Sequence, residues 1–111
     1  MKEVIIINDD AMGRGSKELG KKLIGTFLTK LWASPIKPDA IIFYNGAVKL
    51  LTIGGGSHQA LHFLEKAGVD LIACGTCVSY FELEEQINLG RISGMEEILM
   101  LIQKAEKVVT I

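Results

Sequence analysis

The chain has 111 residues, a formal net charge of −1 and a hydrophobic fraction of 49%. We therefore expect a single domain over residues 1–111 with a core of its own, and the apolar fraction excludes a disordered chain. No apolar run approaches the roughly 20 residues of a membrane span, and the scattered basic residues form no nucleic-acid-binding stripe. The N-terminal apolar run is too short for a signal peptide, which predicts a cytoplasmic protein without membrane or nucleic-acid partners.

The first half of the chain alternates between predicted strands and helices. Val4–Ile7 is a continuous β-branched run, typical of a strand buried on both faces of a parallel sheet. The polar loop Asn8–Ser16 ends in Ser16, a good N-cap for the helix that follows. The apolar residues with helical spacing are Leu19, Leu23, Ile24, Phe27, Leu28 and Leu31. Ala40–Tyr44 is the second strand, and Ala47–Ile53 is either an irregular connection or a helical turn.

The second half repeats this alternation. Gly54–Ser57 is a flexible loop that supplies another N-cap, and the helix after it ends at Gly68. Ser93 and Glu96 fit a capping box, in which each side chain satisfies a backbone donor of the other residue. The helix after this box has an apolar side formed by Ile98, Leu99 and Ile102. The remaining predicted elements are a strand at Val69–Ala73, a continuous or broken helix at Val78–Leu89, a very short strand at Ile92 and a last strand at Lys107–Ile111.

This order of elements predicts a three-layer α/β/α sandwich with a mostly parallel sheet of four or five strands. In such sheets, ligands bind beyond the carboxyl ends of the strands. Cys74 directly follows the third predicted strand, so we expect it at this edge together with the loops after the first two strands. Glycines in these loops allow backbone N–H groups to approach an anion or a thiolate.

The segment LIACGTCVSY holds the two cysteines of the chain, Cys74 and Cys77. A close pair in a reducing compartment indicates redox chemistry, sulfur chemistry or metal binding more often than a structural disulfide. Thr76 is the predicted N-cap of the next helix, whose dipole would lower the pKa of the Cys77 thiol. One thiol can then attack a mixed disulfide or persulfide formed on the other. The alternative is that both cysteines fill the core as small hydrophobic residues.

Two further sites are weaker candidates. His58 and His62 lie four residues apart and would complete a Cys2His2 zinc site with the cysteine pair. The ligand order is the reverse of that in a zinc finger, so we expect no metal and place both histidines on the solvated face. Gly13–Ser16 precedes a helix and would suit a phosphate, but it lacks the complete dinucleotide and P-loop fingerprints. A turn followed by a helix cap is the preferred interpretation of Gly13–Ser16.

Four segments in order make the chain similar to a known family: DDAMGRGSKELGKKLIGTFLTKL, IIFYNGAVKLL, VDLIACGTC and GRISGMEEILMLIQKAEKVVTI. The chain resembles the DsrE/DsrF-like sulfur-relay proteins, and more closely the C-terminal domain of the YedF-type proteins linked to selenium metabolism. The resemblance implies a DsrE-like fold, homo-oligomers (trimers or hexamers), and sulfur donor and acceptor partners such as TusA-like proteins. We expect no cofactor. YedF-type proteins usually carry a TusA-like domain with a Cys-Pro-x-Pro motif, which this sequence lacks, so the chain is a stand-alone relative or a single domain of a longer protein.

The resemblance also implies a persulfide carrier of the sulfurtransferase type, in which Cys74 accepts sulfur and Cys77 assists as the second thiol. The residues that we expect to line the approach or stabilise the anion are Asn8, Gly13, Arg14, Gly15, Ser16, Asn45, Gly75 and Thr76. The alternatives are a non-catalytic oligomeric scaffold and a small protein that binds an anion or a nucleotide at its glycine loops. A surplus of apolar residues predicts either a subunit interface or a filled core, namely Leu50, Leu51, Ile53, Phe81, Leu83, Ile87 and Leu89.

Overall fold

Five strands form one parallel sheet in the computed structural model, which describes residues 2–111. The strands are Glu3–Ile7 (β1), Ala40–Phe43 (β2), Asp70–Cys74 (β3), Arg91–Ser93 (β4) and Lys107–Thr110 (β5). Their order in the sheet is β4-β3-β2-β1-β5, and every neighbouring pair is parallel. The predicted α/β sandwich with a parallel sheet is therefore confirmed, including the short fourth strand around Ile92.

Four α-helices and two 3₁₀ helices connect the strands. The α-helices are Lys17–Ala33 (α1), His58–Lys66 (α2), Gly75–Tyr80 (α3) and Met95–Lys104 (α4). The ambiguous segment after β2 forms a 3₁₀ helix at Asn45–Leu51, followed by a shorter one at Ile53–Gly55. As predicted, Ser16 caps α1, because its hydroxyl accepts a hydrogen bond of 3.1 Å from the Leu19 backbone N–H. Ser57 precedes α2 but makes no side-chain capping bond.

The central strands bury side chains on both faces of the sheet, as their continuous apolar runs predict. Alternate residues point to opposite faces, so Ile5, Ile41 and Leu71 pack on one side with α1, α2 and the first 3₁₀ helix. Ile6 and Ile72 belong to the second core, which α4 covers with Ile98 and Leu101. The helices thus form an outer layer on each face of the sheet.

Only one side of α1 reaches the core, and this corrects part of the predicted apolar stripe. Gly20, Ile24 and Leu28 are buried, whereas Leu19 and Leu23 are 54% and 45% exposed. The buried positions lie four residues apart and form a narrow strip along one helix face. Gly20 allows a close approach of the preceding loop, because an added Cβ would lie 3.0 Å from the Met12 carbonyl oxygen.

Two predictions for the second half are wrong in detail, and one open alternative is decided. The post-cysteine helix is broken, because it ends at Tyr80, Glu82 adopts a left-handed conformation with φ of 54°, and turns follow. The helix N-cap before α4 is Gly94, and the Ser93 hydroxyl hydrogen-bonds the Glu97 carboxylate, so the predicted capping box with Glu96 does not form. Leu99, predicted on the apolar side of α4, is 52% exposed.

The surplus apolar residues before and after the cysteines mostly fill the core. Leu50, Leu51 and Leu89 are buried, whereas Ile53 is 75% exposed. Phe81, Leu83 and Ile87 are partly buried and pack against the first core. These segments therefore do not supply the extensive apolar interface that was one of their two predicted roles.

Candidate functional site

Cys74 and Cys77 meet at the carboxyl edge of the sheet but differ in exposure. Cys74 is the last residue of β3 and the N-cap of α3, a position that the sequence assigned to Thr76. Its side chain is only 1% exposed and packs in the second core with Ile98 and Leu101. Cys77 lies in the first turn of α3 and is partly exposed, and both cysteines are free thiols.

A backbone N–H group from the neighbouring strand end contacts the Cys77 thiol. The Asn45 backbone N–H donates a hydrogen bond to Cys77 Sγ, with an N–S distance of 2.9 Å. Because β2 lies next to β3, the chain after β2 passes directly over the start of α3. Asn45 holds a left-handed conformation with φ of 53°, which asparagine tolerates better than most residues. Such a conformation is often found at functional sites.

The pKa of the Cys77 thiol is raised above its ordinary value. Burial is the largest cause, because it disfavours the charged thiolate, and the neighbouring Cys74 thiol raises the pKa further. The hydrogen bond from the Asn45 N–H acts in the opposite direction, since it stabilises the thiolate. The predicted lowering of the Cys77 pKa is therefore not found, because burial and the second thiol outweigh the Asn45 hydrogen bond.

Cys77 opens into a cavity of about 330 Å³, which we call the thiol cavity. Its lining residues are Asn45, Thr76, Cys77, Tyr80 and Phe81. Tyr80 is 80% exposed and contacts the Phe81 ring edge-to-face at 5.1 Å between centroids. Tyr80 and Phe81 were not among the residues predicted for this site. Their spacing of three and four residues from Cys77 on a helix was the available signal.

The predicted site residues divide into two groups. Asn45 and Thr76 line the thiol cavity, and Gly75 begins α3 between the two cysteines. Asn8, Arg14 and the rest of Gly13–Ser16 do not belong to the lining of this cavity. Gly13 and Gly15 have φ values of 83° and 113°, which glycine tolerates, and the Ser16 hydroxyl caps α1. The Gly13–Ser16 segment thus has a structural role as a turn and a helix cap.

The two histidines do not join the cysteines in a metal-binding group. Within residues 2–111, no cluster of three or more histidine, cysteine, aspartate or glutamate side chains has the arrangement of a metal site. His62 packs edge-on against Phe63 with 5.4 Å between ring centroids. The Nε2 atom of His58 is buried without a hydrogen-bond partner among the described residues.

An ion-pair network supports the outer strand next to this site. The Arg91 guanidinium bonds both carboxylate oxygens of Asp70 and both of Glu97, at 2.6–3.0 Å. The hydrogen bonds from Arg91 and then from Ser93 lower the pKa of Glu97 to about 2. Arg91 therefore links β4 to β3 through Asp70 and to α4 through Glu97.

Comparisons with known proteins identify the family. The family model described as DsrE/DsrF-like matches residues 2–111, so the chain belongs to the DsrE/DsrF-like family. The crystal structure of the YchN protein from E. coli has 18% sequence identity, a TM-score of 0.69 and complete coverage of both chains. A comparison with curated proteins gave no match.

Two further solved structures share the fold, and both are described as proteins of unknown function. MTH1491 from Methanobacterium thermoautotrophicum is 15% identical, with a TM-score of 0.66 and coverage of 96% of this chain and 97% of its own. BT1422 from Bacteroides thetaiotaomicron is 17% identical, with a TM-score of 0.70 and coverage of 99% and 95%. Among residues 2–111, no helix is long and apolar enough to cross a membrane.

Proposed function

We propose that the protein is a sulfur-relay carrier and that Cys77 is the residue that accepts the sulfur. The observation that carries this proposal is the difference in exposure between the two thiols. Cys77 opens into the thiol cavity and receives the Asn45 N–H, whereas Cys74 is 1% exposed behind it. A donor protein reaches Cys77 first. The family resemblance implied that Cys74 accepts the sulfur, whereas its burial behind Cys77 favours a supporting role for Cys74.

The transfer is a thiol exchange without net oxidation. The Cys77 thiolate attacks the outer sulfur of a donor persulfide, the donor S–S bond breaks, and the donor leaves as a thiolate. Cys77 then holds a persulfide, which passes its outer sulfur to an acceptor thiolate in the same way. The Asn45 N–H donates to the Cys77 sulfur and stabilises negative charge on it. Because the pKa of Cys77 is raised, only a small fraction is thiolate at neutral pH, so the reaction accelerates as pH increases.

The buried thiol gives the carrier a second route. Cys74 can attack Cys77 Sγ of the persulfide, which releases hydrosulfide and leaves a Cys74–Cys77 disulfide. An external thiol must then reduce this disulfide before the next cycle. The same exchange accommodates selenium in place of sulfur, as in the selenium-linked YedF-type proteins that the sequence resembles.

Exposed apolar side chains support the further proposal that the protein acts as a homo-oligomer. Met95 and Leu99 are 56% and 52% exposed and lie one turn apart on α4. Ile92 on the outer strand β4 is 46% exposed. A small monomer gains nothing from this arrangement, whereas a subunit interface buries it.

The test is intact-protein mass spectrometry after incubation with a cysteine desulfurase and cysteine. Wild type should gain the mass of one sulfur, Cys74→Ala should retain the gain, and Cys77→Ala should lose it. A reducing agent should remove the added mass from wild type and from Cys74→Ala. Loss of the gain only in Cys74→Ala would keep the relay but return the accepting role to Cys74.

A non-catalytic scaffold is the second candidate, favoured by the burial of Cys74 and the raised pKa of Cys77. This candidate predicts no gain of sulfur in wild type and slow alkylation of both thiols. The combination of these two results would refute the relay.

A further inference from the structure

A second cavity, on the α1 side of the sheet, lies outside the thiol site. It has a volume of about 530 Å³, within the range of small-molecule sites, and lies between α1 and the loop Gly54–Ser57. Its charged lining residues are Asp10, Lys21 and Lys49. None of its lining residues belongs to the thiol cavity. We call it the lysine cavity.

The charges of the lysine cavity suit an anion. Two lysines outnumber the single carboxylate in its lining. The Lys49 ammonium lies 4.5 Å from the centroid of the Phe81 ring, which lines the thiol cavity, so Lys49 lies between the two cavities. A lysine ammonium is a compact point charge that commonly binds phosphate.

One acceptor in this cavity has no hydrogen bond. Asp10 Oδ1 is buried and without a hydrogen-bond partner among the described residues. Lys17 Nζ lies 3.6 Å from Oδ1 and Lys21 Nζ lies 4.0 Å from Oδ2, which are ion-pair distances longer than a hydrogen bond. A buried acceptor of this kind is costly unless a donor completes it. A ligand hydroxyl group would supply that donor.

Close packing explains why Gly55 of this cavity is glycine, but it does not explain Gly54 and Gly25. Gly55 needs to be glycine, because an added Cβ would lie 2.6 Å from the Lys49 carbonyl oxygen. At Gly54 an added Cβ would have no neighbour within 4 Å, and at Gly25 it would meet only Ser57 Oγ at 3.9 Å. Glycine is the least favourable residue after proline inside a helix such as α1. The absence of a side chain at Gly25 therefore leaves open space at the lysine cavity.

We propose that the lysine cavity binds a small phosphorylated molecule that also carries hydroxyl groups. Lys21 and Lys49 attract the phosphate, Asp10 Oδ1 accepts a hydrogen bond from a hydroxyl, and Gly25 and Gly54 leave space for the ligand. The lysine cavity and the thiol cavity share no lining residue and the binding test does not use the thiols, so either proposal can fail without the other.

The test is isothermal titration calorimetry of the full chain with ribose 5-phosphate, and with inorganic phosphate and ribose as partial probes. Ribose 5-phosphate should saturate one site per chain, inorganic phosphate should bind more weakly, and ribose should not bind. Lys21→Gln and Lys49→Gln should each weaken binding at least about tenfold. Lys22→Gln is the matched control, because Lys22 is the next residue of α1 and does not line this cavity.

Two more variants test the shape and the acceptor. Gly25→Met should abolish binding by filling the cavity while thermal unfolding shows a folded protein. Asp10→Asn should reduce the preference for ribose 5-phosphate over inorganic phosphate. Absence of saturable ribose 5-phosphate binding in wild type up to about 10 mM would overturn the proposal. An equal loss in Lys22→Gln and Lys21→Gln would also overturn it, because it would indicate attraction to the general surface charge.

Discussion

The pKa of Cys77 is raised by two causes that can be separated by one substitution. The effect of burial remains in Cys74→Ala, whereas the contribution of the Cys74 thiol to the Cys77 pKa disappears. The pKa of Cys77 should therefore fall in this variant, and the thiolate fraction at neutral pH should increase. Because the thiolate is the reacting species, alkylation by iodoacetamide at neutral pH should be faster than in wild type. The measurement is the alkylation rate of Cys77 as a function of pH, by mass spectrometry.

Cys77→Ala is the control for this titration. Its remaining thiol, Cys74, is 1% exposed and should react slowly over the whole pH range. A profile for Cys74→Ala that is unchanged, or moved to higher pH, would contradict the assigned cause of the raised pKa.

The sequence predicted the position of the two cysteines at the carboxyl edge of the sheet, but not that Cys74 is buried while Cys77 is partly exposed. Cys74 follows a buried strand, and this alone predicts its place at the carboxyl end of the sheet. Its burial depends on Ile98 and Leu101 of α4, which come more than twenty residues later in the chain. The Asn45 N–H reaches Cys77 only through the pairing of β2 with β3. Local patterns carry no information about either of these long-range contacts.

Elements that are determined by neighbouring residues in the sequence were predicted well. One local motif, the capping box at Ser93, does not form in the structure. The β-branched run of β1 and the Ser16 cap of α1 agree with the structure. Ser93 has the sequence context of a capping box, yet it is the last residue of β4 and pairs with Cys74 in β3. Gly94 is also extended, with φ of −90° and ψ of 169°, so α4 begins only at Met95. The Ser93 side chain bonds Glu97 and does not cap the helix.

Helix α1 contains two glycines whose substitution by alanine should have opposite effects. Gly25→Ala should stabilise the protein by about 1 kcal/mol, because alanine is the better helix former and the new Cβ meets only Ser57 Oγ at 3.9 Å. Gly20→Ala should destabilise it by about 1–3 kcal/mol, since the new Cβ would lie 3.0 Å from Ala11 Cβ and from the Met12 carbonyl oxygen. Chemical denaturation of wild type and both variants measures the free energies of unfolding. A loss of stability in Gly25→Ala would show that the space beside α1 is smaller than described.

Exposed apolar side chains on β4 and α4 bear on the assembly of the whole molecule. Ile92, Met95 and Leu99 are exposed on β4 and α4, and Gly75 connects this region to the thiol site. An added Cβ at Gly75 would lie 3.4 Å from Ile92 Cγ2, so the exposed Ile92 lies beside the start of α3. A subunit docked on this region would therefore border the segment that carries Cys77.

This arrangement predicts a specific response of the assembly to charge. Wild type should sediment as a trimer or a hexamer of the 12.1 kDa chain, and Leu99→Lys should sediment as a monomer. The reason is that a lysine ammonium on α4 would have to lose its water in a buried interface.

Leu23→Lys is the matched control, because Leu23 is similarly exposed, at 45%, but lies on α1 on the opposite face of the sheet. A wild-type protein that sediments at 12.1 kDa would rule out the oligomer. Dissociation by Leu23→Lys instead of Leu99→Lys would move the interface to the α1 face, away from Cys77.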